Sequence, residues 1–403
     1  MTADQHWLAR ARALAELGRY TCSPNPMVGA VIVRDGRIMG EGFHARAGEP
    51  HAEIHALRAA GPRARGACLY VTLEPCCTHG RTPPCTDAII AAGIARVVVG
   101  TIDPNPAHAG RGLALLRQAG IETLCLNDRT CAELNERFNH FITTRRPFVH
   151  AKWAMSADGK IAPATGSARW ISCPESRTYV HKLRAEYDAV MVGIGTVLAD
   201  NPQLNVRLEG TWRQPTKIII DSHLRTPANA ALLQGAPTVI ACARAADPSH
   251  ADALRAAGAR IIALPGPDDR VDLPALLELL GSEGITSVFV EGGAALFGSL
   301  FAAQLVQRAT IIIAPMLLGG QSALSPIGGP GVPTVEAAWR LTDVTITSCG
   351  VDTILSGRVA YPRSPRPSSS AVNAASTAWP SDNDASDGPS APGNRHRIPP
   401  CSA

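Results

Sequence analysis

No apolar run in this chain is long enough to span a bilayer and no leader opens it, so neither a membrane partner nor a secretory route is expected. Charge of one sign is also scarce. The 38 basic and 34 acidic residues leave a net +4, and the Arg and Lys are scattered, so the basic stripe of a nucleic-acid-binding surface is missing. A small anionic substrate remains compatible. Nothing recurs at a period of about 20–50 residues, which excludes solenoids and propellers. Cysteine is present, but 11 of them without a leader argue against a disulfide framework and for a reducing, cytoplasmic setting where thiols act as ligands or small buried groups. At 403 residues the chain exceeds one ordinary core, so about two domains plus some unstructured sequence are expected.

Residues 1–145 alternate Val/Ile-rich runs with helical ones, the pattern of an α/β domain whose sheet is covered on its faces. Val28–Val33 and Ile38–Gly42 flank Asp35-Gly36, a pair suited to positive φ, and read as a hairpin. Pro50–Ala60 reads as a helix, Ala67–Leu73 as a strand, Thr86–Ala92 as a helix ended by Gly93, and Arg96–Gly100 as a strand. A boundary is expected near Arg145-Arg146-Pro147. Residues 146–361 then form a second α/β unit with strands at Phe148–Ala154, Ala189–Val192, Lys217–Ile220, Thr238–Ala241, Arg260–Leu264, Ser287–Val290 and Thr310–Ala314, and late ones near Leu341–Thr347 and Thr353–Val359. Residues 362–403 are rich in Pro, Ser, Ala, Asn and Asp with almost no aliphatics, and are expected to be disordered.

The chemistry concentrates in Pro50-His51-Ala52-Glu53 and, downstream, Glu74-Pro75-Cys76 with Cys85. One imidazole and two thiolates leave the fourth position of a tetrahedral Zn²⁺ for water, whose pKa the metal lowers toward about 7. An acid that is not a ligand then moves protons in zinc deaminases, and Glu53 is the candidate for that role. A structural zinc would want four protein ligands and no spare acid. Both halves of the motif are expected at helix starts, where the partial positive charge favours thiolate at Cys76 and Cys85. On an ideal helix positions i and i+2 lie roughly 200° apart, so His51 and Glu53 face one metal only if His51 sits in an irregular first turn. Pro50 permits that. Cys77 competes with Cys76 as a ligand, but Pro75 before Cys76 favours the latter; His55 reads as helix surface or a neighbour of the ligands. His44 and His79 are open between substrate contact and ordinary surface histidine.

The long spacing from Cys76 to Cys85, with Gly80-Arg81-Thr82-Pro83-Pro84-Cys85, Ser23-Pro24-Asn25-Pro26-Met27-Val28-Gly29-Ala30 and Asp103-Pro104-Asn105-Pro106, resembles the riboflavin-biosynthesis deaminases. Lys152–Lys160, Gly193–Pro202 and Glu291-Gly292-Gly293-Ala294 resemble the reductase domain of the same pathway. Glycines at a strand-to-helix turn let backbone amides approach phosphates, but a strand, a Gly pair and a helix alone are as readily a plain turn.

The resemblance implies a cytidine-deaminase-like three-layer domain followed by a dihydrofolate-reductase-like domain using NADPH, so Zn²⁺ and NADPH are the expected cofactors. It places cofactor contacts at Ala154, Trp170, Thr196, Asp200, Ser222 and Gly293, Ala294, Ala295, Leu296, Phe297, Gly298 and Ser299. Substrate contacts fall on Arg184, Leu204, Arg207 and Glu291, with Asn25 in the deaminase pocket. Arg184 and Arg207 suit a phosphate through charged, bidentate hydrogen bonds. Ala168 stands where the family commonly has Ser. The expected activity is hydrolytic deamination of a phosphoribosylamino-diaminopyrimidine, then reduction of its ribosyl group to ribityl. The partner is thus a small phosphorylated pyrimidine, and a homo-oligomer is compatible. The alternative is a nucleoside or tRNA deaminase with an unrelated C-terminal domain.

Overall fold

The computed structural model describes residues 1–79, 83–166, 170–244 and 248–362. Gly80-Arg81-Thr82, Ala168 with its neighbour Ser167, and the segment expected to be disordered, apart from Pro362, lie outside the described residues.

Five strands form the first sheet: β1 (Gly29–Arg34), β2 (Arg37–Phe43), β3 (Cys68–Leu73), β4 (Arg96–Thr101) and β5 (Glu122–Cys125), in the order β2-β1-β3-β4-β5. β1 and β2 are the expected hairpin, with Asp35 and Gly36 at φ 53° and 72°, the positive values a tight two-residue turn requires. β3, β4 and β5 run parallel. Side chains alternate between faces. Val31, Val33, Tyr70 and Val98 pack toward α1 (Ala3–Ala15), while Ile32, Leu69, Val71, Val97 and Val99 pack toward α2 (Ala52–Ala60), α3 (Cys85–Ala91) and α4 (Arg111–Gln118). The sheet is therefore the middle of three layers. α2 sits hard on β2: a Cβ added at Gly42 would lie 2.6 Å from the Ala52 carbonyl oxygen, so this contact depends on a bare backbone. Two short helices follow, α5 (Arg129–Leu134) and α6 (Glu136–Thr144). β5 was not anticipated, because this short edge strand is only partly buried and carries no Val/Ile run.

The second sheet has nine strands: β6 (Phe148–Ser156), β7 (Ala189–Gly193), β8 (Thr216–Ile220), β9 (Thr238–Cys242), β10 (Ala259–Ala263), β11 (Ser287–Val290), β12 (Arg308–Ala314), β13 (Arg340–Cys349) and β14 (Asp352–Ala360). Their order is β10-β9-β8-β7-β11-β6-β12-β14-β13. Only β14 runs against the rest, antiparallel to both of its neighbours, β12 and β13. One face packs against α7 (Pro174–Glu186) and α9 (Pro248–Ala256) through Val180, Leu183 and Leu254; the other packs against α10 (Leu273–Ser282) and α11 (Ala294–Ala302) through Leu276, Leu280, Phe297 and Leu300. A seven-residue helix, α8 (Ile194–Asp200), follows β7 directly. The strands expected from the sequence all form, shifted by at most two or three residues at their ends.

The two sheets are joined by polar contacts rather than by a shared apolar core. Arg137 of α6 bonds Glu186 at 2.8 Å and lies 5.0 Å over the Tyr187 ring. The Tyr187 hydroxyl pairs with His150 Nδ1 at 2.6 Å, and His150 Nε2 pairs with the Thr310 hydroxyl at 2.7 Å. Glu136 makes a two-pronged pair with Arg308 at 2.7 and 2.8 Å, and the Ser23 hydroxyl donates to Asp188 at 2.7 Å.

Burial, helped by Arg308 and Arg137, drives the His150 pKa well below its ordinary 6.5. Below that pH the unfolded chain takes up a proton that the folded chain refuses, so stability falls as pH drops, by up to about 1.4 kcal/mol per pH unit. We expect the melting temperature of His150→Asn to decline less steeply between pH 6.5 and 5 than that of the parent. Parallel declines would show that His150 carries no part of the acid sensitivity.

Candidate functional site

His51 is the residue immediately before α2, extended at φ −74° and ψ 166°, and its carbonyl accepts the Ile54 and His55 amides at 3.1 and 3.2 Å. Being outside the helical path, its imidazole escapes the radial spacing that would separate it from Glu53, as the sequence required. Cys85 is the first residue of α3. Cys76 departs from expectation: it lies in the loop after β3, not at a helix start, because Glu74 and Pro75 carry the chain past the end of the strand. It still receives the helix terminus, since the Cys85 N–H donates to Cys76 Sγ at 3.3 Å and the Thr86 N–H to the Cys76 carbonyl at 3.3 Å.

His51 Nδ1 stands 3.5 Å from Cys76 Sγ and 3.3 Å from Cys85 Sγ, and all three donor atoms lie within 4.8 Å of one another. With Zn–S near 2.3 Å and Zn–N near 2.05 Å, a tetrahedral ion sets N···S edges of about 3.6 Å, so the donor set fits a zinc ion with one position left over. The hydrogen bond with Cys85, then His51, brings the Cys76 thiol down to about 4, while Cys85, sharing that bond and buried, is pushed up. Contact with Cys76 also raises His51. A bound cation would displace protons from these donors.

Glu53 is buried beside them, near enough to Cys85 to interact, and its Oε2 has no hydrogen-bond partner. Burial, with the Cys76 charge adding to it, raises its carboxyl to about 7. An orphaned acid titrating near neutrality beside a three-donor cluster is equipped to pass protons. Asn25 approaches from the other side: its amide meets His44 Nε2 at 3.0 Å, and His44 Nδ1 meets the Pro50 carbonyl at 3.2 Å. The His44 ring stacks edge-on against His51 at 5.2 Å. His79 is exposed, and Cys77 turns to His108, Sγ to Nδ1 3.5 Å, outside the three-donor group.

A second constellation lies at the C-terminal edge of the larger sheet. Glu291, at the end of β11, forms a two-pronged ion pair with Arg184 of α7, and Lys152 Nζ of β6 stands 3.8 Å away. Burial would raise the Glu291 carboxyl, but Arg184 and Lys152 hold it below the ordinary carboxylate value. Arg184 also donates to the Asn205 carbonyl at 2.9 Å and Arg207 to Asn205 Oδ1 at 2.6 Å, so Arg184, Arg207 and Glu291 are linked, while Leu204, next in sequence to Asn205, is buried in the apolar core. Arg184 is therefore engaged with a carboxylate, and Arg207 is the more available guanidinium. Gly292 and Gly293 adopt φ 139° and 96° just before α11, and a Cβ on Gly292 would come 3.2 Å from the Thr196 hydroxyl. This bare turn between Thr196 and the Gly293–Ser299 segment fits a dinucleotide phosphate. Asp200 closes α8 beside it, Ala154 lies in β6 and Ser222 follows β8. Trp170 is 64% exposed under the Arg177 guanidinium, 4.8 Å from its ring centre.

Comparison with known proteins covers both constellations. Residues 1–101 match the cytidine and deoxycytidylate deaminase zinc-binding region, and residues 147–355 match the RibD C-terminal domain. The riboflavin biosynthesis protein RibD of Actinobacillus pleuropneumoniae is 44% identical over 87% of this chain and 94% of its own length. The chain belongs to the RibD family. Its Escherichia coli counterpart is 44% identical over 79% of this chain and 89% of its own. Among solved structures, RibD of Acinetobacter baumannii superposes with a TM-score of 0.78 at 36% identity, covering 89% of this chain and 99% of the other. A Thermotoga maritima diaminohydroxyphosphoribosylaminopyrimidine deaminase/5-amino-6-(5-phosphoribosylamino)uracil reductase gives 0.75 at 34%, with the same coverage. This is a bifunctional deaminase and reductase of riboflavin biosynthesis, with Zn²⁺ and NADPH as its cofactors. A nucleoside deaminase with an unrelated appendage is not favoured, because the relatives align through both halves.

Two participants were missed in the sequence. Lys152 had a signal, a cation inside a mostly buried central strand, and was quoted only as the start of a motif. Glu74, quoted only as part of a motif, is buried and accepts the amides of Asp103, Gly110 and Leu113 at 3.2, 2.8 and 3.3 Å, anchoring the 103–113 loop beside Cys76. Stranding buried donors costs about 1–3 kcal/mol each. Glu74→Ala should therefore lose at least about 3 kcal/mol in urea unfolding, and Glu74→Gln, which keeps a carbonyl acceptor, less. An unchanged midpoint for the alanine variant would mean the loop is held by other contacts.

Proposed function

We propose that residues 1–145 hydrolyse the amine from 2,5-diamino-6-(5-phosphoribosylamino)pyrimidin-4-one, and that residues 146–361 reduce the ribosyl group of the resulting 5-amino-6-(5-phosphoribosylamino)uracil to ribityl. The observation that carries the first step is the buried, partnerless Oε2 of Glu53 beside three converging donors. His51, Cys76 and Cys85 would hold the Zn²⁺, which when bound supplies an electrophilic centre and a water acidic enough to react at neutral pH. Glu53 takes one proton of the attacking water and delivers it to the ring nitrogen, then takes the second from the hydroxyl now on the ring carbon and delivers it to the departing amine. The C–N bond breaks, ammonia leaves and the ring carbon becomes a carbonyl. Asn25, fixed by His44, orients the pyrimidine.

In the second half NADPH, when bound, would supply a hydride to C1′ of the sugar, while the bond from C1′ to the ring oxygen breaks and that oxygen takes a proton from solvent. The residues Ala154, Trp170, Thr196, Asp200, Ser222 and Gly293–Ser299 would hold it. Arg207 takes the substrate phosphate, and Glu291, fixed by Arg184 and flanked by Lys152, binds the polar end of the substrate. Positioning accounts for most of what the protein contributes. The substrates are small phosphorylated pyrimidines rather than nucleic acid. Among the described residues no helix is long and apolar enough to cross a membrane, and the cysteines are free thiols, which supports a reducing cytoplasm. A homo-oligomer would cover β13, an edge strand whose Val344 and Ile346 are 44% and 66% exposed.

Two substitutions test this reading. Glu53→Gln should retain zinc by elemental analysis yet release ammonia at least about 100-fold more slowly, whereas Cys85→Ser should lose the metal itself. A Glu53→Gln enzyme with parental turnover would rule out the shuttle. Arg207→Ala should raise the reductase KM by about tenfold or more while sparing ammonia release, as expected from loss of a charged hydrogen bond. An unchanged KM would assign the phosphate to another group.

A further inference from the structure

The parallel strands of the larger sheet bring their C-terminal ends to one edge, where ligands of open α/β sheets bind. That edge carries Gly193–Asp200 after β7, Gly292-Gly293 after β11, the Ala157–Gly159 turn after β6, and after β12 a long glycine-rich loop, residues 315–339. The loop lies directly on the start of α11. The Gly328 N–H donates to the Ala294 carbonyl at 2.9 Å, and a Cβ added at Gly298 would sit 2.2 Å from the Gly328 carbonyl oxygen. It is thus one wall of the turn assigned above to the dinucleotide. Its Leu317 is 78% exposed, and Met316 and Leu324 are exposed as well, on the edge that also carries Gly292-Gly293 and Gly193–Asp200.

A loop of this length loses about 1–2 kcal/mol of conformational freedom for each residue it orders, so it needs an anchor. Asp158 provides one. Its carboxylate accepts the Leu318 and Gly319 amides at 3.1 and 2.6 Å and the Ser156 hydroxyl. Backbone bonds continue the seam: Ala157 N–H to the Met316 carbonyl at 2.8 Å, Ile161 N–H to that of Leu324 at 2.9 Å, and Leu324 N–H to that of Ala162 at 3.2 Å. The Ser156 hydroxyl and the two amides keep the Asp158 carboxyl down at about 2, so it is an anion at any working pH. The side chain is exposed, and apart from the buried Ser156 hydroxyl at the end of β6 these bonds go to the loop.

We infer that Asp158 is a positioning residue of the reductase, holding the Leu318-Gly319 amides so that the 315–339 loop walls the NADPH site at the start of α11. This rests on the assignment of Gly293–Ser299 to NADPH. Asp158→Ala frees the loop without removing any group that meets the dinucleotide. Asp158→Asn keeps one carbonyl acceptor for the amides.

The experiment is a fluorescence titration of the full-length, zinc-loaded protein with NADPH, alongside reductase kinetics and ammonia release. For Asp158→Ala the expected result is an NADPH Kd and KM raised about tenfold, a kcat within about threefold of the parent and unchanged ammonia release, with Asp158→Asn recovering part of the affinity. Parental NADPH affinity in Asp158→Ala overturns the inference alone. So does a fall in kcat at unchanged Kd, or an asparagine variant no better than alanine. A parent that binds no NADPH overturns the cofactor assignment and this inference together.

Discussion

Both candidate sites depend on one backbone constraint: the chain leaving the C-terminal end of a buried strand is brought against the unpaired first amides of a helix. After β3 a loop returns Cys76 to the first amide of α3; after β11 the Gly292-Gly293 turn leads straight into α11. The same geometry attracts negative charge in each, because helix amides are unpaired at that end. In the first case it favours a thiolate, in the second a phosphate. What differs is the side chain the sequence puts there.

The two buried acids near these turns show how the surroundings divide their roles. Glu53 has a carboxylate oxygen without a partner and a thiolate as neighbour, so burial lifts it to about 7. Glu291 is just as buried, yet Arg184 and Lys152 keep it ionised. Desolvation favours the neutral acid, and a paired cation reverses the balance. An acid poised near neutrality and an acid held ionised thus follow from their surroundings. The polar junction extends the theme: Arg137, Glu186, Tyr187 and His150 form a buried hydrogen-bonded run that ties α6 to the larger sheet. Such a run is stable only when every member is satisfied, which fixes the register of one half on the other.

Much of this was legible beforehand. Runs of Val and Ile marked the central strands because strands buried on both faces have no polar side to show. Asp35-Gly36 marked the hairpin because its φ values suit few other pairs. β5 escaped notice because an edge strand with mixed residues has no period to read. The site was legible where motif spacing matched a resemblance, as at His51, Glu53, Cys76 and Cys85. It was not legible at Glu74, whose three amide partners come from residues 29 to 39 positions onward, nor at Asp158, whose partners lie 160 and 161 positions away.

The chain by itself determined which residues could react, how the strands and helices alternate, and that an imidazole, two thiols and a free acid are available. These are local properties of composition and spacing. Only the tertiary structure decided that His51 leaves its helix to share a centre with Glu53, that Cys76 reaches α3 from a loop, that Arg184 is committed to Glu291, and that Asp158 ties a distant loop to the end of β6. Each of these depends on distances between segments far apart in sequence, and on burial that sets the charge of each group. No local pattern encodes either.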